Sequence, residues 1–358
     1  MMEPIVMARA PGHISLGSGH PTTNRYGSVN RQSIITVAVN YYAYAIISPS
    51  HTDGVHIIYA GHGAHPCLLE GDKAWEDELA VPKAVAHLFG IRDGMTIFLS
   101  AQAPLGVGLG LSGSLTASLI KALAFSCGLD LEPREVAELA CHVRAETVRT
   151  EDDSLDQYTA ICGGFNSIES AEKVVRIEPL NIPLGTLRSL ERQIMLFLIK
   201  PSGQLPDTGE HRKTGRFRNS PAVRQGETSQ TTSRRIRSSL EGGDLAMLWT
   251  LLDQSWLQQG HLYDGSERNL LVQSYKTARE SGALCGRCIP ANGGGSLVLF
   301  CPEEHQQSVT DSLALLGLQR WPIALAEDGV QVMEAVSRPK LASVREPVNL
   351  SSYLQHPR

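Results

Sequence analysis

Residues 104–123 read PLGVGLGLSGSLTASLIKAL, a stretch in which four glycines are followed at once by an apolar segment. Glycine has no Cβ, so the backbone can turn sharply there and a ligand can approach its N–H groups closely. Leu115, Leu119 and Leu123 recur at the spacing of a helix that buries one face. The stretch therefore predicts a glycine loop that leads into the N-terminus of a helix.

The start of such a helix is a potential anion site. Its first N–H groups lack partners within the helix, and the helix macrodipole is positive at this end. A phosphate group fits these donors without any charged side chain. The residues alone leave a second interpretation open, in which the glycines form a turn that only permits close packing.

Length and composition predict a globular protein with two lobes. The 358 residues exceed the usual size of one core, so we predict an N-terminal lobe over 1–200, a flexible basic linker or lid over 201–237 and a C-terminal lobe over 238–358. No apolar run reaches the ~20 residues needed to cross a bilayer, and no signal peptide is evident, so we expect a cytoplasmic protein. The net charge of -5 argues against a general nucleic-acid binder.

The segment 201–237 is polar and rich in basic side chains. Two interpretations remain open: its cations meet an anionic ligand, or they form a solvated, disordered charge run. The cations in question are Arg212, Lys213, Arg216, Arg218, Arg234, Arg235 and Arg237.

The seven cysteines are odd in number and scattered, which predicts reduced thiols rather than a disulfide framework. Cys285 and Cys288 have C-x-x-C spacing, but without a second pair we do not expect metal or redox use. His62, His65 and Cys67 could hold a metal in principle, although solvated histidines in a loop are the favoured interpretation.

Hydrophobic periodicity predicts strands and helices on both sides of the basic segment. Strands are expected over 32–50, 95–101, 293–301 and 330–336, and helices over 132–148, 244–262, 266–281 and 303–317.

Three further motifs accompany the glycine loop. They are RAPGHISLGSGH at 9–20, LDQYTAICGGFN at 155–166 and PANGGGSLVLF at 290–300. Together with 104–114, and in this order, they resemble the GHMP small-molecule kinases, and most of all the sugar kinases of the heptose 7-phosphate kinase type. This resemblance spans nearly the whole chain.

The resemblance implies an α+β fold with an N-terminal lobe like ribosomal protein S5, a ferredoxin-like C-terminal lobe and a ligand cleft between them. It implies a kinase that uses ATP and Mg²⁺ to phosphorylate a hydroxyl of a small-molecule polyol: a sugar, a sugar phosphate or a cyclitol. We expect neither nucleic acid nor membrane as a partner, and a homodimer is possible.

The resemblance also implies roles for individual residues. Asp156 and His13 would be catalytic, and Ser112 and Glu146 would bind the metal. Without the resemblance, Asp156 would be a capping or turn residue and Glu146 a solvent-facing residue of a helix. The nucleotide would contact Pro104, Gly106, Gly108, Leu109, Gly110, Ser112, Gly113 and Ser114, and the acceptor would contact Ser18, Gly19, His20, Thr22, Gln157, Tyr158, Gly293, Gly294 and Gly295.

Several positions depart from the family pattern. His13 stands where many relatives have arginine or lysine, and histidine is charged only part of the time near neutral pH. Thr22 replaces a substrate-binding aspartate, and Leu111 replaces the first serine of the loop. We therefore expect a kinase with an unusual acceptor. The alternatives are an inactive ligand-binding protein on the same scaffold, or a kinase for an amino-acid or mevalonate-like hydroxyl.

Overall fold

The computed structural model describes residues 5–17, 32–50, 53–60, 63–67, 79–105, 107–144, 154–171, 174–199, 222–259, 266–291, 294–335 and 350. The strands are β1 Val6–Gly17, β2 Gln32–Pro49, β3 Val55–Tyr59, β4 Gly63–Cys67, β5 Met95–Ala101, β6 Phe165–Ala171, β7 Val174–Pro179, β8 Ile194–Ile199, β9 Cys285–Ala291, β10 Gly294–Phe300, β11 Gln319–Trp321 and β12 Gln331–Ala335. The helices are α1 Ala80–Leu88, α2 Leu111–Ser126, α3 Pro133–His142, α4 Ser154–Ala160, α5 Leu184–Gln193, α6 Ala222–Gly242, α7 Leu245–Gln259, α8 Ser266–Glu280 and α9 Gln306–Ala314. Within these residues, no helix combines the length and the apolar character needed to cross a membrane.

The first sheet is organised around β2, a strand of 18 residues. Its β-branched and aromatic residues favour extended backbone, as predicted. Strand order is β12-β1-β2-β5-β3-β4, and β6 pairs with the first half of β2 and with β7. Because β5 pairs with the second half of β2, one long strand holds two partners along the same edge.

The first sheet bends where β1 passes the glycine loop. The register between β1 and β2 shifts between Pro11 and Gly12. Such an irregularity bends a strand and re-aims its side chains. Gly12 lies against the loop so closely that a Cβ would come within 2.9 Å of the Leu109 carbonyl oxygen. The bend and the missing side chain together let β1 and the loop make direct backbone contact.

Helix α2 is the central helix of the N-terminal lobe. The leucine spacing predicts one buried face, but nearly all of the helix is buried because β1, β2, α1, α3 and α4 surround it. Its hydroxyl side chains tolerate this burial by bonding within the helix: Thr116 donates to the Ser112 carbonyl at 3.0 Å and Ser126 to the Ala122 carbonyl at 2.9 Å. The apolar segment after the glycines is therefore a core helix rather than a surface helix.

The second sheet has the order β11-β8-β10-β9 and is antiparallel throughout. Helices separate β8 from β9 and α9 separates β10 from β11, which gives the β-α-β-β-α-β sequence of a ferredoxin-like lobe. One face packs on α8 and α9 through residues such as Phe197 and Leu297. The other face joins the first sheet, α6 and α7 in a shared apolar layer that includes Ile14, Leu196 and Ile236.

Three elements differ in place from the predicted lobe boundaries. Strand β8 lies within 1–200 but belongs to the second sheet, and β12 lies within 238–358 but pairs with β1. Residues 222–237, predicted as linker, belong to α6. Fully buried Ile236 and the Ser233 hydroxyl, which donates to the Ser33 carbonyl at 2.8 Å, hold α6 against the first sheet. Residues 201–221 lie outside the described part of the chain.

Candidate active site

The glycine loop ends at the N-terminus of α2, as predicted. Gly108 and Gly110 have φ values of 82° and 65°, a backbone conformation that strongly favours glycine, and Gly110 is the N-cap. Since α2 begins at Leu111, the N–H groups of Leu111, Ser112 and Gly113 have no acceptor within the helix. These three amides form the donor end of a buried helix of 16 residues.

Ser114 does not belong to this donor set, although it was predicted to contact the nucleotide. Its N–H donates to the Gly110 carbonyl at 3.2 Å, which closes the first helical turn. Its hydroxyl donates to the Pro11 carbonyl at 2.6 Å and is fully buried. In the structure Ser114 fastens α2 to β1, and its contact with the nucleotide stays a prediction.

The other predicted loop residues lie at the start and on the inner side of the loop. Pro104 is exposed, whereas Leu109 is buried in the apolar layer between the lobes and its carbonyl accepts from the His13 N–H at 3.0 Å. Gly106 lies outside the described residues. The loop is thus held to β1 by a backbone hydrogen bond on its inner side.

Strand β9, which pairs with the third glycine motif, meets the loop from the C-terminal lobe. A Cβ on Gly108 would come within 2.3 Å of the Ile289 side chain on β9. Gly294 and Gly295 begin β10, opposite Ala291 and Pro290 of β9. Gly293 is outside the described residues. The hairpin of the second sheet therefore packs against the glycine loop, which lies between the two lobes.

His13 is enclosed rather than exposed to the cleft. Only 6% of its surface is accessible, and the Thr159 hydroxyl lies within hydrogen-bond distance of the ring at 2.9 Å from Nε2. A Cβ on Gly110 would come within 1.8 Å of the ring, so the imidazole fills the space that a side chain at Gly110 would need. His13 thereby joins β1, the N-cap of α2 and α4.

Helix α4 carries the predicted catalytic aspartate. Asp156 lies one turn before Thr159, on a helix that packs against α2 and β1. Gln157 is 2% exposed and its Oε1 has no hydrogen-bond partner within the described structure, which leaves an acceptor for a ligand or a water molecule. The side chain of Asp156 itself is not among the described parts.

Tyr158 was predicted to contact the acceptor, but it lies in the apolar core of the N-terminal lobe. Burial raises the pKa of Tyr158 above its ordinary value, with further contributions from Cys141 and Glu138. Both of these groups belong to α3, so the phenol faces that helix. The physical reason is the helical spacing, which turns the residue after Gln157 away from β1 and into the core.

Ser112 is exposed in the first turn of α2, where its hydroxyl meets a cation. The Arg144 guanidinium donates from Nη1 to Ser112 Oγ at 3.2 Å. Arg144 follows α3, which packs beside α2. A metal ion held by Ser112 would therefore have a permanent positive charge as its neighbour.

Ser18, Gly19, His20, Thr22 and Glu146 lie outside the described residues. Across the part of the chain that the structure describes, no group of three or more His, Cys, Asp and Glu side chains is placed to hold a metal ion.

The C-x-x-C pair is structural. Cys285 packs in the apolar layer between the lobes, and Cys288 packs beneath α8 and α9 on the other face of β9. Burial raises the pKa of both thiols above the ordinary value, which disfavours the thiolate that metal or redox chemistry needs.

Known proteins share the part of the chain that contains the glycine loop. Residues 79–164, which hold α2, the glycine loop and α4, match the family model described as the GHMP kinases N terminal domain. The chain has the GHMP kinase fold. A D-glycero-alpha-D-manno-heptose 7-phosphate kinase of Campylobacter jejuni is 28% identical over 214 residues, which are 60% of this chain and 63% of that relative. The aligned part thus spans less than two thirds of the relative's length.

Solved GHMP kinase structures extend the match to almost the whole chain. A putative sugar kinase from Campylobacter jejuni superposes with a TM-score of 0.74 at 20% identity and covers 93% of this chain and 98% of its own. A D-glycero-D-manno-heptose 1-phosphate kinase from Bacteroides thetaiotaomicron gives 0.73 at 19% identity, over 92% and 99%. The predicted α+β fold and the resemblance to the GHMP kinases are confirmed.

Sequence reasoning missed three residues around the glycine loop. Arg144 lies outside the four motifs, whereas Thr159 lies within the motif at 155–166, and both meet their partners only through packing. Ser296 lies within the motif at 290–300, directly after its glycines, and pairs in register with Ile289, which touches the loop. Its hydroxyl is fully buried and has no partner among the described atoms. Two signals were present in the sequence: a threonine inside the motif at 155–166, and a serine between a glycine cluster and the apolar residues of β10.

Proposed function

We propose that this protein is an ATP- and Mg²⁺-dependent kinase that transfers the γ-phosphoryl group to a hydroxyl of a sugar, a sugar phosphate or a cyclitol. The observation that carries the proposal is the set of three amides at the start of α2, presented by a loop that lies between β1 and β9. Helix α4, with Asp156, packs beside this donor end.

The proposed role of the loop follows from the charge of the nucleotide. Phosphoryl transfer depends mainly on positioning and on charge neutralisation. Amides that are already oriented need no reorganisation when charge develops, and the macrodipole of α2 adds about half a positive charge at this end. The rigid packing of Leu109, Gly110 and Ser114 against β1 supports such preorganisation.

Magnesium fits the residues in part. Ser112 Oγ is an exposed oxygen ligand in the first turn of α2, and oxygen is the donor that Mg²⁺ prefers. Glu146 is the proposed second ligand. Mg²⁺ is usually bound by one or two protein groups together with substrate phosphates, so the absence of a larger acidic cluster in the described structure is compatible with it. When bound, the ion would neutralise phosphate charge.

We assign Asp156 the role of the base or orienting group for the acceptor hydroxyl. His13 receives a different role from the one the motif implies. Because its ring is buried between Gly110 and Thr159, we propose that it positions α4 relative to the glycine loop and does not touch the substrate. Gln157 Oε1 remains a candidate acceptor for a hydrogen bond from the substrate.

The acceptor class rests on the relatives. The matched Campylobacter jejuni protein is named for a heptose 7-phosphate. We extend this to the broader class of polyols, because Thr22 departs from the sugar-kinase pattern. Location in the cytoplasm and a homodimer remain predictions from the sequence.

The test is a panel of sugars, sugar phosphates and cyclitols assayed for ADP release with Mg·ATP. We expect turnover with at least one polyol, and Asp156→Asn should lower kcat by about 100- to 10,000-fold. Asp130→Asn is the matched control, since Asp130 is exposed near the far end of α2 and should leave turnover unchanged.

Two results would contradict the proposal. Nucleotide binding without ADP release for any acceptor would identify a non-catalytic binding protein. Turnover with only homoserine-like or mevalonate-like hydroxyls would change the acceptor class.

A further inference from the structure

The phosphate site needs positive charge that the first motif does not supply. A nucleoside triphosphate carries several negative charges, and one helix terminus offers about half a positive charge. His13 of the first motif is bonded to the loop through its backbone N–H, which donates to the Leu109 carbonyl. Its ring is also enclosed by Gly110 and Thr159 and only 6% of the residue is accessible, so it offers little surface to a phosphate held at the start of α2.

Arg144 brings a permanent cation to this place. Its Nη1 lies 3.2 Å from Ser112 Oγ, and Ser112 is exposed in the first turn of α2. The hydroxyl and the N–H group of Ser112 belong to the same residue, so an anion bound by that N–H group lies beside the guanidinium. The contact is formed across 32 positions of the chain, which requires the packing of α3 beside α2.

The chemistry of the side chain suits a phosphate ligand. A guanidinium has five N–H donors in a planar fork, and one of them donates to Ser112. Arginine forks match phosphate oxygens, and the charge persists at every pH at which proteins fold. A hydrogen bond from a charged donor to phosphate is also stronger than one from a neutral donor.

We propose that Arg144 binds the triphosphate directly and supplies the permanent positive charge of the phosphate site. This inference rests on the proposed function. The competing explanation is a structural one, in which Arg144 only braces the segment after α3 against α2. A purely structural arginine contributes to the stability of the fold. An arginine that binds phosphate instead raises the affinity for nucleotides, and it does so more for a triphosphate than for a monophosphate.

The experiment measures the binding of ATP, ADP and AMP to Arg144→Gln by calorimetry, with Mg²⁺ and with EDTA. We expect ATP affinity to fall about 10- to 100-fold, as for the loss of a hydrogen bond to a charged group, and AMP affinity to fall much less. The loss should persist in EDTA, because the guanidinium contacts phosphate and not the metal. Arg134→Gln removes the same charge from α3, where Arg134 pairs with Glu138 at 3.0 Å, and should leave all three affinities unchanged.

A second measurement uses the native chain and covers the case in which Arg144→Gln fails to fold. Phenylglyoxal modifies accessible arginines, and peptide mass spectrometry reports each site. ATP should protect Arg144 and leave Arg134 reactive, and AMP should protect Arg144 less.

The outcomes separate the two proposals. Three results would overturn the role of Arg144 and leave the kinase assignment standing. They are an equal loss of ATP and AMP affinity in Arg144→Gln, a loss of affinity seen only with Mg²⁺, and no protection of Arg144 from phenylglyoxal by bound ATP. Failure of the native protein to bind ATP at all would overturn both.

Discussion

Replacing Gly110 by alanine tests whether the glycine loop is built as described. The φ of 65° costs alanine about 1–2 kcal/mol, since a Cβ is disfavoured in the left-handed region. The added Cβ would lie 1.8 Å from the His13 ring. The ring has little room to move away, because the Thr159 hydroxyl lies 2.9 Å from its Nε2 atom. Displacing a buried ring in a packed core costs about 1–3 kcal/mol more. We expect Gly110→Ala to lower the free energy of unfolding by about 2–5 kcal/mol.

Gly128→Ala is the matched control. Gly128 has a φ of 75°, but a Cβ there would meet nothing within 4 Å. Its replacement should therefore cost only the backbone part, about 1–2 kcal/mol. Urea unfolding of both variants gives the comparison, and ATP calorimetry of Gly110→Ala should show weakened binding because the first amides of α2 shift.

A double-mutant cycle isolates the contact with the histidine. In a His13→Ala background the space is open, so Gly110→Ala should cost no more than Gly128→Ala does. If Gly110→Ala is as mild as Gly128→Ala in the native background, or if the extra cost survives the removal of His13, the reasoning about this contact is refuted.

Three other predictions concern hydroxyls and thiols. Ser114→Ala should lower the free energy of unfolding in urea by about 1–2 kcal/mol, because its buried hydroxyl donates to a main-chain carbonyl. Ser112→Ala should change that free energy by less than about 0.5 kcal/mol but weaken Mg·ATP binding, because Ser112 is exposed. A larger loss of stability for Ser112→Ala than for Ser114→Ala would contradict the roles given to these two serines. Ser296→Ala should be neutral or stabilising, since its buried oxygen has no partner, and a loss above about 1 kcal/mol would reveal a missed bond. Burial raises the pKa of Cys127 to about 11 and that of Cys162 to about 12, above the ordinary 9.0. The folded state thus holds these protons more tightly, so the contribution of the two thiols to stability should be constant below pH 9 and fall by up to about 1.4 kcal/mol per pH unit and thiol between pH 9 and 11. Urea midpoints that stay flat between pH 9 and 11 would contradict this.

Local chemistry was enough to predict the features that depend on neighbouring residues. The positive φ at Gly108 and Gly110 and the start of α2 follow from glycines beside an apolar run. The extended β2 follows from its β-branched and aromatic residues. The family pattern added the order of the motifs, and with it the two-lobed fold.

The features that were missed depend on residues far apart in the chain. Sheet membership of β8 and β12 is decided by long-range pairing, which leaves no local mark. The polar composition of 201–237 led to the prediction of a linker where residues 222–237 belong to α6. A few apolar residues such as Ile236 are enough to bury one side of a helix. The burial of His13 and the contact of Arg144 with Ser112 likewise arise only when α2, α3 and α4 pack around β1.

A crystal structure of the protein with a non-hydrolysable ATP analogue and Mg²⁺ tests the central claim most directly. The account predicts that the terminal phosphates accept hydrogen bonds from the N–H groups of Leu111, Ser112 and Gly113 at the start of α2. A triphosphate bound away from these amides would contradict it.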